Sequence, residues 1–397
     1  MKLLILTNQP YPNMIGGSAK KLTGECKYLD KNNHEVNIIS SRGGDKKLRD
    51  HDAICYANIK QVGLPYIPLG KARGFKLIFK LNLWIIVNFI YFWAALFRGI
   101  KIANSVDTIS IKGVHSDGLC GVILKKIFKK RLVYEHAGGL NIKRAKLFKH
   151  KKRGALFLKI GLWFNTFTER IVYRNCDAIM TQESMEDYYR DLGFKGDYYV
   201  IPNGRDADEF HPFGDINVYL KKDMDISGKV ILFVGRFDPV KNVDKIIDAF
   251  SLIKEKVHLV IVGGGDLGPE LMKHAEESLG SKNIHFMGSK PDVTPYYMMA
   301  DALVIASTYE GFPGVLIEGM ASELAVVSTP VGTVPKVIKD GENGYLIPKK
   351  WKTSDLTIGM IKAINAPDKL RENARLTFEE NYSWDVVIKK FIQVYSS

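Results

Sequence analysis

Two cations and two carboxylates in the second half of the chain carry the chemistry that residue types alone make readable. Arg236 and Lys241 lie in Gly235-Arg236-Phe237-Asp238-Pro239-Val240-Lys241-Asn242, between an apolar run and a helical pattern. A helix N-terminus favours an anion, and a guanidinium with an ammonium neutralises two phosphates. The loop therefore reads as a diphosphate site, with a solvated basic loop as the plain alternative. Glu310 and Glu318 stand eight apart in Thr308-Tyr309-Glu310-Gly311-Phe312-Pro313-Gly314-Val315-Leu316-Ile317-Glu318-Gly319-Met320. A carboxylate only accepts hydrogen bonds, which suits paired sugar hydroxyls. Glu310 on the loop could hold a pyranose and Glu318, one turn into the following helix, a ribose. Gly311, Pro313 and Gly314 leave the backbone N–H groups of that helix start open to a ligand. The alternative is one capping carboxylate and one solvated helix residue.

The first half is less specific. A strand over Arg131–His136 delivers His136, followed by Ala137-Gly138-Gly139, and an earlier strand leads to His115 in Gly113-Val114-His115-Ser116-Asp117. A histidine at the carboxyl end of a parallel strand is placed where ligands bind, or it is structural. Gly16-Gly17 follows the first strand as a tight turn or as a backbone approach to a ligand. Three Asp-x-Asp strings (Asp50–Asp52, Asp206–Asp208, Asp223–Asp225) fall away from these loops, so no metal site and no cofactor is expected.

Positioning these residues takes alternating strands and helices, the pattern of parallel α/β domains. Strands are predicted over Lys2–Thr7, Glu35–Ser40, Thr108–Lys112, Arg131–His136, Ala178–Thr181 and Tyr198–Ile201. A second set covers Val230–Gly235, His258–Val262, Ile284–Gly288, Ala302–Ala306, Ala325–Thr329 and Gly344–Ile347. Each set makes a doubly wound sheet of its own. The expected architecture is two facing Rossmann-like domains, residues 1–200 and 201–382, with a ligand in the cleft at the strands' carboxyl ends. The seam falls near Ile201-Pro202-Asn203-Gly204-Arg205-Asp206. A helix over 383–397, with no strand after it, is expected to pack back towards the first domain.

Charge divides the same way. Residues 1–200 hold 34 Lys and Arg against 16 Asp and Glu, whereas the remainder holds 23 against 27. The first domain therefore faces something anionic. Residues 124–153 contain 12 basic residues and one acid, Glu135. The densest part holds Lys143, Arg144, Lys146, Lys149, Lys151, Lys152 and Arg153, and leads to Leu162-Trp163-Phe164. Basic residues beside aromatic ones suit an anionic membrane surface. Nucleic acid is disfavoured, because no nucleic-acid module accompanies the patch. Leu81–Phe97 is a 17-residue apolar stretch interrupted by Asn82 and Asn88, short of the roughly 20 residues a span requires. It reads as a buried or membrane-surface helix. The N-terminal apolar run is too short for a signal peptide. Four scattered cysteines (Cys26, Cys55, Cys120, Cys176) fit a reducing, cytoplasmic compartment.

Taken in order, Pro202-Asn203-Gly204-x-Asp206, Gly235-Arg236-x(4)-Lys241-Asn242, Val262-Gly263-Gly264-Gly265-Asp266, Phe286-Met287-Gly288, Glu310-Gly311-Phe312-Pro313-x(4)-Glu318, Asp340-Gly341-x-Asn343-Gly344-Tyr345-Leu346-Ile347 and Tyr382-Ser383-Trp384 resemble the retaining GT-B glycosyltransferases of family GT4. The resemblance implies transfer of a sugar from a nucleotide-diphospho-sugar, UDP- or GDP-linked, with retention at the anomeric carbon and without a metal. It assigns Arg236 and Lys241 to the diphosphate and Glu318 to the ribose. Glu310 with Gly311, Phe312 and Pro313 would serve the sugar and phosphate, and Gly264 and Lys290, beside Ser289, the rest of the donor. Gly17 would reach the donor from the first domain, Gly16 and His115 would lie on the acceptor side, and His136 would stabilise the reacting sugar. The acceptor is expected to be a lipid-linked or glycan precursor at the inner face of the plasma membrane. Glu323, Ala325 and Lys336 depart from the family pattern, which leaves local loop geometry open. An epimerase or hydrolase of the same fold and a catalytically silent scaffold are the rival readings. A dinucleotide oxidoreductase is disfavoured by the lack of Gly-x-Gly-x-x-Gly after the first strand.

Overall fold

A computed structural model describes residues 1–9, 11, 17–42, 55–65, 75–136, 166–182, 184–210, 216–278 and 283–397. The chain forms two compact units, one of Met1–Pro202 with Val387–Ser397 and one of Asn203–Val386.

The first unit is built on a seven-stranded, all-parallel sheet in the order β3-β2-β1-β4-β5-β6-β7. The strands are β1 (Lys2–Thr7), β2 (Glu35–Arg42), β3 (Asn58–Pro65), β4 (Thr108–Ile111), β5 (Arg131–Glu135), β6 (Ala178–Thr181) and β7 (Asp197–Val200). Three helices matter below: α1 (Gly17–Lys31), α2 (Phe75–Ala103) and α3 (Ser116–Phe128). Strands β1, β4, β5 and β6 are buried along nearly their whole length, as parallel strands covered on both faces must be. Their apolar side chains meet Tyr91, Ala95 and Leu96 of α2 and Cys120, Val122 and Leu124 of α3 in one core. The sheet has one strand more than the sequence pattern predicts. Strand β3, Asn-Ile-Lys-Gln-Val-Gly-Leu-Pro, lies at the edge. An edge strand tolerates the Lys, Gln, Gly and Pro that hide it from an apolar search.

The second unit carries a six-stranded parallel sheet in the order β10-β9-β8-β11-β12-β13. Its strands are β8 (Lys229–Val234), β9 (Val257–Val262), β10 (Ile284–Gly288), β11 (Ala302–Ile305), β12 (Ala325–Ser328) and β13 (Tyr345–Leu346). Successive strand residues point to opposite faces, so this sheet has two cores. Ile231, Phe233, Leu259, Ile261 and Val304 pack on one face. Val230, Leu232, Val260, Val262, Leu303 and Ile305 pack on the other. Helices α4 (Val243–Ser251) and α5 (Gly314–Ala321) follow β8 and β11. Helix α6 (Trp384–Ser396) ends the chain, and its residues from Val387 onward belong to the first unit. There Thr108 donates to the Tyr395 carbonyl at 2.7 Å, and Arg131 Nε donates to that of Val394 at 3.0 Å.

Candidate active site

In the second unit β9 and β10 extend to one side of β8, while β11, β12 and β13 extend to the other. Between β8 and β11 the winding reverses, and the crevice at the carboxyl ends of two such strands is where α/β sheets bind ligands. The loop after β8 carries Arg236 and Lys241, and the loop after β11 carries Glu310. Hydrogen bonds and an ion pair strap the loops together. Asn242 Nδ2 donates to the Ala306 carbonyl at 2.6 Å, the Thr308 N–H donates to the Val240 carbonyl at 2.9 Å, and the Lys241 ammonium pairs with Glu310 Oε1. Ser307 Oγ donates to the same oxygen at 2.7 Å. Lys241 and Glu310 are mostly but not fully buried. Arg236 is exposed, and among the described residues its guanidinium forms no ion pair.

The glycine motifs close around this point. Gly263 has φ +149°, and a Cβ there would lie 1.8 Å from the Gly235 carbonyl, so only glycine lets the β9 loop pass the β8 loop so closely. The Phe237 N–H donates to the Gly264 carbonyl at 2.8 Å, and the Gly263 N–H donates to that of Gly288 at 3.0 Å. Gly264 thus faces Ser289, while Ser289 and Lys290 are exposed beyond β10. Helix α5 is capped by Pro313 without a side-chain hydrogen bond, and the Leu316 N–H donates to the Pro313 carbonyl at 3.1 Å. Phe312 is half-buried and rests against the Tyr382 ring.

Glu318, in the middle of α5, is buried and held from two sides. Arg205 Nε donates to Oε1 at 2.8 Å and the Tyr297 hydroxyl donates to Oε2 at 2.7 Å. Arg205 occupies the variable position of the Pro-Asn-Gly-x-Asp motif. Its own backbone pairs with Tyr382 and Trp384, which joins that motif to Tyr-Ser-Trp. Sequence reasoning had both motifs but missed the guanidinium. It also missed Gly332 and Thr333. The Gly311 carbonyl accepts from the Thr333 N–H at 3.0 Å and from its hydroxyl at 3.1 Å, so this Gly-Thr pair after β12 holds the Glu310 loop from behind.

In the first unit His136 directly follows β5. Its N–H donates to the Met180 carbonyl at 2.8 Å, and Nδ1 lies 3.1 Å from the Tyr134 hydroxyl. Nε2 is buried and has no hydrogen-bond partner among the described residues. Burial, then the Lys21 charge, lower the imidazole pKa to about 4, so the ring is neutral near pH 7. Beside it lies an ionic cluster that no motif signalled. Glu135 Oε1 meets Lys21 at 2.5 Å, Glu135 Oε2 meets Lys112, and Lys112 meets Glu25 Oε2 at 2.8 Å. The Tyr395 hydroxyl donates to Glu25 Oε1 at 2.7 Å. The lysines hold Glu135 down to about 2 against its burial, whereas burial and the Glu135 charge raise Glu25. The available signal was Lys21 and Glu25 one turn apart on α1 together with Lys112 and Glu135, hidden because the latter two lie far along the sequence. His115 is half-buried, with Nδ1 3.4 Å from the Thr168 hydroxyl. Gly17 opens α1. Gly16 and the basic residues Lys143, Arg144, Lys146, Lys149, Lys151, Lys152 and Arg153 lie outside the described residues.

Residues 15–209 match the family described as Glycosyltransferase Family 4, and residues 221–377 match Glycosyl transferases group 1. The chain is 28% identical over 213 residues to N-acetyl-alpha-D-glucosaminyl L-malate synthase of Bacillus anthracis, covering 49% of this chain and 55% of that one. It is 31% identical over 214 residues to phosphatidyl-myo-inositol mannosyltransferase of Mycobacterium tuberculosis, covering 51% and 54%. The chain thus spans about half the length of these curated relatives. Among solved structures, Anabaena HepE in complex with UDP superimposes with a TM-score of 0.73 at 18% identity, over 100% of both chains. That likeness establishes the GT-B fold. With two family matches that follow one another along the chain and a site assembled from their motifs, this protein belongs to the family 4 glycosyltransferases.

Proposed function

We propose that the chain transfers a sugar, with retention, from a UDP- or GDP-sugar to a hydroxyl of a lipid-linked or cell-surface glycan precursor. The observation that carries this reading is the pairing of Lys241 with Glu310 at the switch point of the second sheet, with Arg236 exposed beside it. A diphosphate would take the ammonium from Glu310 and gather the guanidinium, leaving the Glu310 carboxylate to the sugar hydroxyls. Glu318, already oriented by Arg205 and Tyr297, would accept from the ribose. UDP in HepE and the lipid in the name of the mycobacterial relative support the donor and acceptor classes.

The reaction breaks the bond between the anomeric carbon and the diphosphate oxygen and forms a bond from that carbon to the acceptor oxygen. Negative charge grows on the leaving diphosphate, where the Arg236 and Lys241 cations and the N-terminal end of α5 would stabilise it. The proposed transfer uses these groups without a metal. The acceptor attacks from the face the diphosphate leaves, and its proton passes to a departing phosphate oxygen. His136, neutral and with Nε2 unpartnered among the described residues, is assigned to stabilising the reacting sugar and not to removing a proton. The excess of cations in the first 200 residues supports action at an anionic membrane surface on the cytoplasmic side.

Calorimetry with UDP, GDP, ADP and NAD, each in EDTA, tests the donor class. Binding of UDP or GDP is expected; binding of NAD alone, or of none, overturns the reading. Product NMR then reports the anomeric configuration, and an inverted product removes the retaining mechanism.

A further inference from the structure

We propose that the outward face of α2 is a membrane-docking surface that lies in the plane of an anionic bilayer. This rests on the reading of the chain as a membrane-associated transferase, and it names the surface responsible.

Six large apolar side chains of α2 are exposed: Ile86 (50%), Phe89 (60%), Ile90 (36%), Trp93 (44%), Phe97 (64%) and Ile100 (40%). At 3.6 residues per turn they fall on one stripe, running about 21 Å along the axis. The rings are in mutual contact, with centroids 6.3 Å apart for Phe89 and Trp93 and 6.1 Å for Trp93 and Phe97. A helix face turned to water should be polar, and soluble monomers rarely expose contiguous apolar patches beyond a few hundred Å².

Charge selects the occupant. In its 29 residues α2 has no Asp or Glu, and its four charges, Lys76, Lys80, Arg98 and Lys101, are all basic. Apolar and aromatic residues flanked only by cations match the interface of a bilayer containing anionic lipid. A second copy would bring the same cations against themselves. The sequence supplies more cations in residues 143–153, so attachment has the two components, apolar insertion and Coulomb attraction, that stable interfacial binding takes.

Ile86–Ala103 is also apolar enough, by length and composition, to cross a membrane, but its other face is committed to the fold. Val87, Tyr91, Ala95 and Ala103 are buried. The Tyr91 hydroxyl donates to the Thr7 carbonyl at 2.8 Å. Asn88 Oδ1 accepts from Ser116 Oγ at 3.1 Å and from Asn8 Nδ2 at 3.4 Å. Spanning would break these bonds and strip one side of the core. The helix therefore lies along the surface and does not cross it.

The test is flotation of the full chain with phosphatidylcholine vesicles, with and without phosphatidylglycerol, beside the triple variant F89S/W93S/F97S. Wild type is expected to float only with the anionic vesicles and the variant to bind at least roughly tenfold more weakly. Nucleotide affinity measured on the same preparations should be unchanged, so failure of the docking surface and failure of the donor reading show separately. In a Cys55→Ser background, whose remaining cysteines are buried, a polarity-sensitive dye on Phe97→Cys should shift to the blue on anionic vesicles. Equal flotation of variant and wild type, or no dye shift, overturns the proposal. So does resistance to extraction at alkaline pH, which means a span, or a wild-type dimer that the triple variant dissolves, which means a second copy covers the face.

Discussion

Arg205 Nε donates to Glu318 Oε1 at 2.8 Å, and about nine-tenths of each side chain is out of contact with solvent. Removing one partner of a buried pair strands the other charge, at a cost of about 3–5 kcal/mol. Arg205→Met is therefore expected to lower stability by that order in urea denaturation. It should also weaken nucleotide binding, because Glu318 loses the group that aims it. Glu318→Ala should instead erase the preference for a ribonucleotide over its 2′-deoxy analogue, a preference of about 1.5–3 kcal/mol if the carboxylate accepts the hydroxyl. Calorimetry with both nucleotides reads this directly, and undiminished preference in the variant would remove Glu318 from the ribose site.

The two cations of the β8 loop are expected to behave differently from one another in the unliganded protein. Arg236 has no ion-pair partner among the described residues, so Arg236→Ala should leave stability within about 0.5 kcal/mol. Lys241→Ala unpairs Glu310, whose carboxylate is mostly buried, and should be measurably destabilising. Both should weaken nucleotide-diphosphate binding by about 1.5–3 kcal/mol, the range for charged hydrogen bonds. Wild-type affinity in either variant would place that residue outside the donor site.

The second unit was legible in the sequence because its candidate site residues sit in or just after short loops that follow apolar strands. Gly235, Gly263 and Gly288 mark where strands end, and Glu310 and Glu318 sit at a spacing that a loop and one helix turn explain. What sequence reasoning missed is what long-range packing assembles. Arg205 meets Glu318 across 113 positions, and Lys21, Glu25, Lys112 and Glu135 meet only because β4, β5 and α1 converge. Strand β3 escaped for a different reason, since an edge position places little demand on apolar residues. The apolar stretch over Leu81–Phe97 was visible, but only the structure shows which of its residues face inward.

Gly332 offers a test of the loop that carries Glu310. It has φ +54°, and a Cβ there would lie 2.2 Å from the Glu310 carbonyl and 2.3 Å from that of Gly311. Both contacts are with backbone, so Gly332→Ala must push the loop away from β12. A loss of about 1–3 kcal/mol in stability is expected from the strained conformation. Donor affinity should fall as well, since Glu310 and the α5 N-terminus move together. A variant with unchanged affinity would mean that the loop can shift without disturbing the donor site.

The buried groups beside β5 predict how stability depends on pH. His136 titrates near 4 in the folded chain and near 6.5 when unfolded. Between these values the unfolded chain binds more protons, so stability rises with pH through the window. It is fully retained above about pH 6.5 and is lost as pH falls towards 4, by up to the order of 3 kcal/mol. Glu135 acts lower down: its folded pKa is depressed to about 2, so its contribution is lost only as pH falls from about 4.5 towards 2. Glu25, raised by burial and by the Glu135 charge, works in the opposite sense and gains stability on protonation. His34, His258 and His285 are also lowered, each first by burial, so a subtractive variant is needed. His136→Gln should flatten the change in urea midpoint between about pH 7 and about pH 5 while leaving the decline below pH 4 in place. If the variant and wild type lose stability equally over the upper window, the imidazole is not held neutral by the fold, and its assigned role in stabilising the sugar loses its basis.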